Sequence, residues 1–505
     1  MKTRRHIATL VLGLVAIAPS HAATSVERTQ AAIAKAKALD PKLRAVIAFD
    51  PTALKQAAAA DRVRFFRYDP HLITGMPILV KDNIDVAGMA TTAGSLALKG
   101  NVRPKDAPIV ARLRAANAVI IGKTNLSEWA NIRSSDSISG WSGVGGQTRN
   151  AHALDRSPSG SSSGSGAAVA AGIVEAAIGT ETNGSVISPS AMNGIVGLKP
   201  TVGLVSRTGI VPISVSQDTA GPMARSVFDV ARLLSVIAGS DPADPATKDA
   251  DAHKIDYAAA LDAGSLKGAR IGVMRFATGF STQTDAVFEK ALDILRAKGA
   301  VLVDIKSFDN RAKMAPHTLG VLLTEFKVGL RDYLATTDPR AVPSRDLAGI
   351  IAFDKAHAAQ EMPLFGQDLF EKAELTKGLD DPDYIKARDT IRKLAGADGI
   401  DRLLSENDVV ALVGPSYAPA FPIDAINGDH SAGAGAGGVA AVAGYPHLTV
   451  PMGAVKGLPV GLSFIGPAWS EAKLLSLGYA FEQASHARIE PKLAPTLDDA
   501  LLTGR

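Results

Sequence analysis

Two stretches of small residues carry the serines best placed to do chemistry. Ser157 to Gly166 reads Ser-Pro-Ser-Gly-Ser-Ser-Ser-Gly-Ser-Gly and runs straight into the alanine-rich stretch Ala167 to Ala171. Gly179 to Ser185 reads Gly-Thr-Glu-Thr-Asn-Gly-Ser. Glycine permits tight turns and close approach of backbone to a ligand. Small residues ahead of a serine leave backbone N–H groups free to converge on one point, which a developing oxyanion requires. A serine hydroxyl is a weak nucleophile until a base takes its proton. Lysine can be that base when it is neutral, and burial lowers its ordinary pKa of ~10.4 by up to several units. Lys81 closes the apolar run Ile78-Leu79-Val80 and precedes Asp82-Asn83-Ile84. A lysine so placed is either a base or half of an ion pair, with Asp82 the obvious partner.

Other uses of the same residues compete with this reading. A Gly/Ser stretch can be a flexible linker, but a linker separates domains, and this one enters a helical pattern. Gly160-Ser161-Ser162-Ser163-Gly164 formally fits the G-x-S-x-G nucleophile elbow, centred on Ser162. That elbow follows a strand directly, whereas Ala153 to Pro158 is polar and turn-forming. The chain has 10 His, none in zinc-ligand spacing on a helix, and no Cys. Thiolate catalysis, disulfides and cysteine metal sites are therefore excluded, and neither a metal nor a cofactor is expected. Gly122-Lys123-Thr124 suggests a phosphate loop, but Asn117 stands where its first glycine belongs. Ser470 to Lys473 fits S-x-x-K on an amphipathic tail helix, a surface pattern. Trp129 and Trp141 flank the serine-rich loops and suit loop anchors better than substrate platforms.

The elements that must position these residues alternate between strand and helix. Ser25 to Leu39 reads as a helix capped by Ser25 and ended by Asp40-Pro41. Val46 to Phe49 is strand-like, Thr52 to about Phe66 helical, and Pro77 to Val80 a buried strand. A helix over Ala107 to Ala116 precedes the strand Val119 to Ile121. From Ser134 to Gly166 periodicity disappears, and so long a loop inside a compact domain is usually functional. The run Ile173 to Ile178 leads to a second loop, Gly179 to Ser190. Ser226 to Ala238 is a helix. Arg270 to Val273, Asp285 to Lys298 and Val301 to Val303 form a strand–helix–strand unit. Val409 to Val413 and Gly461 to Ile465 read as strands, and Glu471 to Ala484 as a helix. This is the pattern of an α/β protein. No repeat or linker divides its 505 residues, so residues 23–505 form one large domain with a helical lobe inserted at about 310–405.

Residues 1–22 read as a cleavable signal peptide, with Lys2, Arg4 and Arg5 ahead of a short apolar run and Ser20-His21-Ala22 at the cleavage site. The expected location is periplasmic or secreted. The run is too short to span a bilayer, which takes ~20 apolar residues. Without those three cations the formal charge of +4 falls to about +1. Such a balance gives no reason to expect nucleic acid or an anionic membrane as partner.

Taken in order, several segments resemble the amidase signature family. Gly75 to Ile84 is similar to its lysine segment, Gly122 to Ala130 to the next block, and Ser157 to Gly172 to its Gly/Ser signature. Gly179 to Ser185 is similar to its nucleophile loop. Gly194 to Thr201, Ser216 to Met223, Ala443 to Pro446 and Gly461 to Gly466 continue the order. The resemblance covers nearly the whole chain after residue 22. It implies a single α/β/α sandwich around a mixed, mostly parallel central sheet. It also implies a Ser-cisSer-Lys triad, in which Lys81 is the base, Ser161 the bridging serine in a cis peptide, and Ser185 the acylated nucleophile. The 24-residue separation of Ser161 and Ser185 agrees with the family pattern. Backbone N–H groups of Thr182, Asn183, Gly184 and Ser185 would form the oxyanion hole. Asn183 stands where the family often has glycine and Ile187 where it often has arginine, so substrates that need that arginine are disfavoured. The loop is closest in character to bacterial peptide amidases, which remove C-terminal amides from peptides. The expected activity is hydrolysis of a carboxamide C–N bond in a small amide or peptide amide. The rivals are an amidase for aliphatic or aryl amides and a catalytically inactive exported solute- or peptide-binding homologue.

Overall fold

The computed structural model describes residues 23–64, 72–433 and 435–497. The expected signal peptide, and the end of the second helix beyond Arg64, lie outside the described residues.

Eleven strands build one sheet. In chain order they are β1 (Val46–Phe49), β2 (Pro77–Lys81), β3 (Val119–Thr124), β4 (Ala176–Glu181), β5 (Val196–Lys199), β6 (Thr219–Ala224), β7 (Arg270–Met274), β8 (Val301–Ile305), β9 (Ala411–Pro415), β10 (His447–Val455) and β11 (Leu458–Ile465). Their spatial order is β1-β3-β2-β4-β6-β5-β10-β11-β9-β7-β8. The sheet is mixed. Parallel pairs join β3, β2 and β4 on one flank and β9, β7 and β8 on the other. Antiparallel pairs link β4, β6, β5, β10, β11 and β9 between them.

Both faces of the sheet are covered, which makes the structure an α/β/α sandwich. Successive strand residues point to opposite faces, and the core divides accordingly. On β2, Ile78 and Val80 enter one cluster and Leu79 the other; on β4, Ala176 and Ile178 part from Ala177 in the same way. The first cluster is closed by helices Pro108–Ala115, Val227–Ile237, Thr282–Ala297 and Glu471–Ser485. The second is closed by α1 (Ser25–Leu43), α2 (Ala53–Arg64) and α3 (Ser163–Ala170). Lys81 shares the parity of Leu79, so β2 aims it at the face that α3 covers.

Between β8 and β9 the chain is mostly helical, starting with Asn310–Ala335. Phe326, Leu330 and Phe370 from this segment pack with Leu98 and Trp129 beside the serine-rich loops. Trp129 meets Phe370 edge-on at 5.8 Å and Trp141 meets Phe365 at 5.2 Å, so both tryptophans anchor loops.

Several local expectations change. The cap of α1 is Thr24, whose hydroxyl accepts from Glu27 N in a capping box, rather than Ser25. Pro41 lies inside the last turn of α1, and the helix stops at Arg44 in a left-handed conformation. Asp40 does not end the helix but accepts from Ala45 N (2.7 Å) and Val46 N (3.0 Å), fixing the turn into β1. The Gly/Ser stretch is no linker: Ser157 and Ser161 to Gly166 are buried, and α3 already begins at Ser163. Gly164 is needed there because a Cβ would stand 2.3 Å from Ala45 O and 2.6 Å from Asn125 O.

Candidate active site

Three strand or helix ends converge on the α3 face. The carboxyl ends of the neighbouring parallel strands β2 and β4 deliver Lys81 and Thr180, the usual place for a site in an α/β sheet. The turn before α3 brings Ser161 to them. Lys81 Nζ lies 2.8 Å from Ser161 Oγ, 2.8 Å from Thr180 Oγ1 and 3.3 Å from Thr180 O. Lys81 and Ser161 are each 0% exposed. The Gly160–Ser161 peptide is cis. Ser161 O accepts from Ser127 N at 3.1 Å, which ties this turn to the loop after β3.

Asp82 is not the partner of Lys81. It pairs with the buried Lys123 at 3.0 Å and accepts from Thr92 Oγ1. Lys123 also donates to Ala90 O and Thr91 Oγ1, both at 2.9 Å, so its amine is used in tying β3 to the loop that follows β2. Among the described residues no carboxylate lies within ion-pair distance of Lys81. Burial therefore dominates and lowers its pKa to about 7, opposed by the more distant charges of Asp218 and Glu181. An ammonium removed from water without a carboxylate partner gives up its proton easily.

Ser185 sits at the mouth of the same turn, 9% exposed. Ser162 N donates to Ser185 O at 3.2 Å, which places the loop against the cis peptide. The Ser185 hydroxyl itself holds no hydrogen bond among the described residues. Ser162 and Ser163 are engaged elsewhere. Ser162 Oγ bridges Thr180 O and Thr180 N (3.1 and 3.2 Å), and Ser163 Oγ donates to Ser159 O at 2.7 Å. Neither is free to act as an elbow nucleophile. At the tail, Ser470 Oγ donates to Pro467 O and Lys473 is exposed, as its surface pattern suggested.

The loop from Thr182 to Ser185 shows an unusual division of its N–H groups. Val186 N and Ile187 N both donate to Glu181 Oε2, at 2.8 and 3.0 Å. The four N–H groups before them, on Thr182, Asn183, Gly184 and Ser185, donate to nothing among the described residues. Gly184 turns the chain at φ +90°, and the buried Glu181 carboxylate holds Val186 and Ile187 in place. The result is a short arc of unused donors beside a serine hydroxyl, with the side chain of Asn183 exposed.

Thr180, Asn83, Glu181 and Asp218 complete the shell and were not singled out from the sequence. Asn83 Nδ2 donates to Thr180 Oγ1 at 3.0 Å. Asp218 accepts from Thr182 Oγ1 (2.5 Å), Ile213 N (2.7 Å) and Ser214 N (2.8 Å). Burial raises its pKa to about 6 against those hydrogen bonds. The available signal was the polar run at the end of an apolar strand, Gly179-Thr180-Glu181. Asp218 lies just ahead of another strand and gave none. A cavity of about 890 Å³ adjoins this shell, lined among others by Asn83, Thr180, Thr182, Asp218 and Tyr333. Among the described residues no cluster of acidic or histidine side chains could hold a metal ion. No helix among them is long and apolar enough to cross a membrane.

Known proteins share both this sequence and this architecture. The Amidase family model matches residues 27–475. The chain is 39% identical to a probable amidase of Arabidopsis thaliana over 90% of its own length and 85% of that protein's. The crystal structure of an amidase family protein from Bacillus anthracis superposes with a TM-score of 0.83 at 36% identity, covering 93% of this chain and 90% of that one. The structure of the native peptide amidase of Stenotrophomonas maltophilia superposes with a TM-score of 0.85 at 51% identity, covering 93% of this chain and 96% of that one. The chain belongs to the amidase signature family and is an amidase, a hydrolase.

Proposed function

We propose that the chain hydrolyses amides through an acyl-enzyme built on Lys81, Ser161 and Ser185. The observation that carries this reading is the 2.8 Å contact between the Lys81 amine and the Ser161 hydroxyl, wholly buried and, among the described residues, with no carboxylate within ion-pair distance. In the proposed sequence neutral Lys81 accepts the Ser161 proton as Ser161 accepts that of Ser185. The contact between the Ser185 and Ser161 hydroxyls is proposed to form on substrate binding, since catalytic hydrogen bonds are often long before substrate binds. Ser185 Oγ then bonds to the carbonyl carbon, and the oxygen takes up negative charge against the N–H groups of residues 182–185. The C–N bond breaks as the relay returns a proton to the departing nitrogen. Water repeats the sequence, cleaving the Ser185 ester and releasing the acid.

Peptide C-terminal amides are the proposed substrates. Two observations support this. The peptide amidase likeness extends over nearly the whole chain, and the cavity of about 890 Å³ beside Thr180, Thr182 and Asp218, which adjoins the Ser185 loop without being lined by Ser185 itself, leaves room for more than a simple carboxamide. Ammonia release across peptide amides and simple aliphatic and aryl amides tests the choice. Preference for the simple amides would overturn it. Export is proposed from the composition of residues 1–22 alone. N-terminal sequencing of secreted protein, expected to begin at Ala23, checks it.

A further inference from the structure

Tyr417 follows β9, a strand of the far flank of the sheet, and reaches the oxyanion loop. Its ring packs on a buried cluster that includes Ala153, Met192 and Ala420. Met192 ends the short helix Ile187–Met192 that begins just after Ser185. The ring is thus tied to the element that follows the proposed nucleophile. A Cβ built on Gly184 would stand 2.3 Å from the Tyr417 hydroxyl. The hydroxyl therefore lies against Gly184, whose own N–H is unused. Among the described residues the Tyr417 hydroxyl makes no hydrogen bond. A rigid phenol whose O–H is spare, set against a row of spare N–H groups, is a donor waiting for an acceptor.

We propose that the Tyr417 hydroxyl touches the substrate and donates a hydrogen bond to the acyl oxygen as it becomes charged, adding a side-chain donor to the N–H groups of the loop. The proposal rests on the reading of Ser185 as nucleophile. The hydroxyl is suited to donate, because burial pushes it well above the ordinary phenol range and keeps its proton in place. Arg311, whose charge acts on the same hydroxyl, is itself held by Gly435 O at 2.9 Å. The substrate oxygen is then the acceptor that fits: a carbonyl oxygen gaining negative charge draws more strongly on an O–H donor than the ground-state amide does.

Tyr417→Phe removes only the oxygen and keeps the packed ring. The expected result on a peptide amide is a fall in kcat of about 10- to 100-fold with KM within about twofold, since lost oxyanion donors act on the transition state. Affinity for a peptide aldehyde should fall by a similar factor. In that adduct Ser185 Oγ bonds to the aldehyde carbon, the carbonyl π bond opens, and the oxygen takes the charge or a proton at the same place. The melting temperature should move by no more than a few degrees. An unchanged kcat in Y417F, or a raised KM with full kcat, would overturn the proposal. Absence of ammonia release by the unmodified protein would instead refute the amidase mechanism on which it rests, and the two failures are separate readouts.

Discussion

Lowering the pH from 8 to 6 should switch off the reaction by protonating Lys81. With its pKa brought to about 7 by burial, the amine is neutral in about nine molecules of ten at pH 8 and about one in eleven at pH 6, a roughly tenfold loss of the active form. Left at its ordinary 10.5, the same lysine would be neutral in well under 1% of molecules at pH 8, and the rate would climb about tenfold per pH unit up to pH 10. The two profiles are easily told apart. The assay is kcat/KM for ammonia release from a peptide amide between pH 5 and pH 10, with the protein shown folded at each pH. A single acid limb with its midpoint near 7 and a plateau above 8 is expected. Asp218 raises the lysine pKa through its charge, so Asp218→Asn should move that midpoint below 7. The plateau should fall as well, because an amide nitrogen would face the N–H groups of Ile213 and Ser214 or leave the Thr182 hydroxyl without its acceptor. A flat profile from pH 6 to 8, or a limb still rising at pH 10, would refute burial as the cause of the lysine's basicity. An unmoved midpoint in D218N would refute the role given to Asp218.

Lys81→Met should abolish activity yet stabilise the fold. Because the folded-state pKa lies below the unfolded one, wild-type stability rises with pH between about 7 and 10.5. The stabilisation of K81M should therefore be largest below pH 7, with an upper bound of about 5 kcal/mol, and should shrink toward pH 10.5 in denaturant titrations. Asp354 is buried with both carboxyl oxygens unpartnered among the described residues, and burial, followed by repulsion from Glu361, raises its pKa to about 7. A raised carboxyl contributes stability below its unfolded pKa and loses it as pH rises through the folded one. Asp354→Asn should thus be nearly neutral at pH 4 and more stable than wild type at pH 8, by at most about 4 kcal/mol, read by thermal melts at the two pH values. Gly184→Ala should cut kcat at least about tenfold, because the new Cβ meets the Tyr417 hydroxyl and the residue sits at φ +90°; activity within twofold of wild type would contradict the loop geometry.

The sequence is most legible where chemistry and local periodicity coincide. Lys81 could be placed at a strand end because Ile78, Leu79 and Val80 leave little choice, and the parity of that strand fixes the face it meets. The strand–helix–strand unit from Arg270 to Ile305 was readable for the same reason. Strands β5, β6 and β10 were not, because Gly197, the pair Gly221-Pro222 and the run Pro451-Met452-Gly453 break the hydrophobic signal of segments buried on both faces. The partner of Asp82 was unreadable in principle: Asp82 and Lys123 are adjacent only because β2 pairs with β3. The same holds for Asp218 and Tyr417, which reach the site from distant parts of the chain. The Gly/Ser stretch misleads by composition, since its hydroxyls are consumed internally by Thr180 and Ser159 and so tolerate burial.

The most direct test of the account is the rate of labelling by a fluorophosphonate, followed by intact mass and by peptide mapping. Wild type should gain one phosphonyl group, on Ser185. Ser185→Ala should gain none, and Lys81→Ala and Ser161→Ala should each label at least about 100-fold more slowly, the scale of a lost acid–base relay. Labelling of S185A, or labelling of K81A at the wild-type rate, would contradict it.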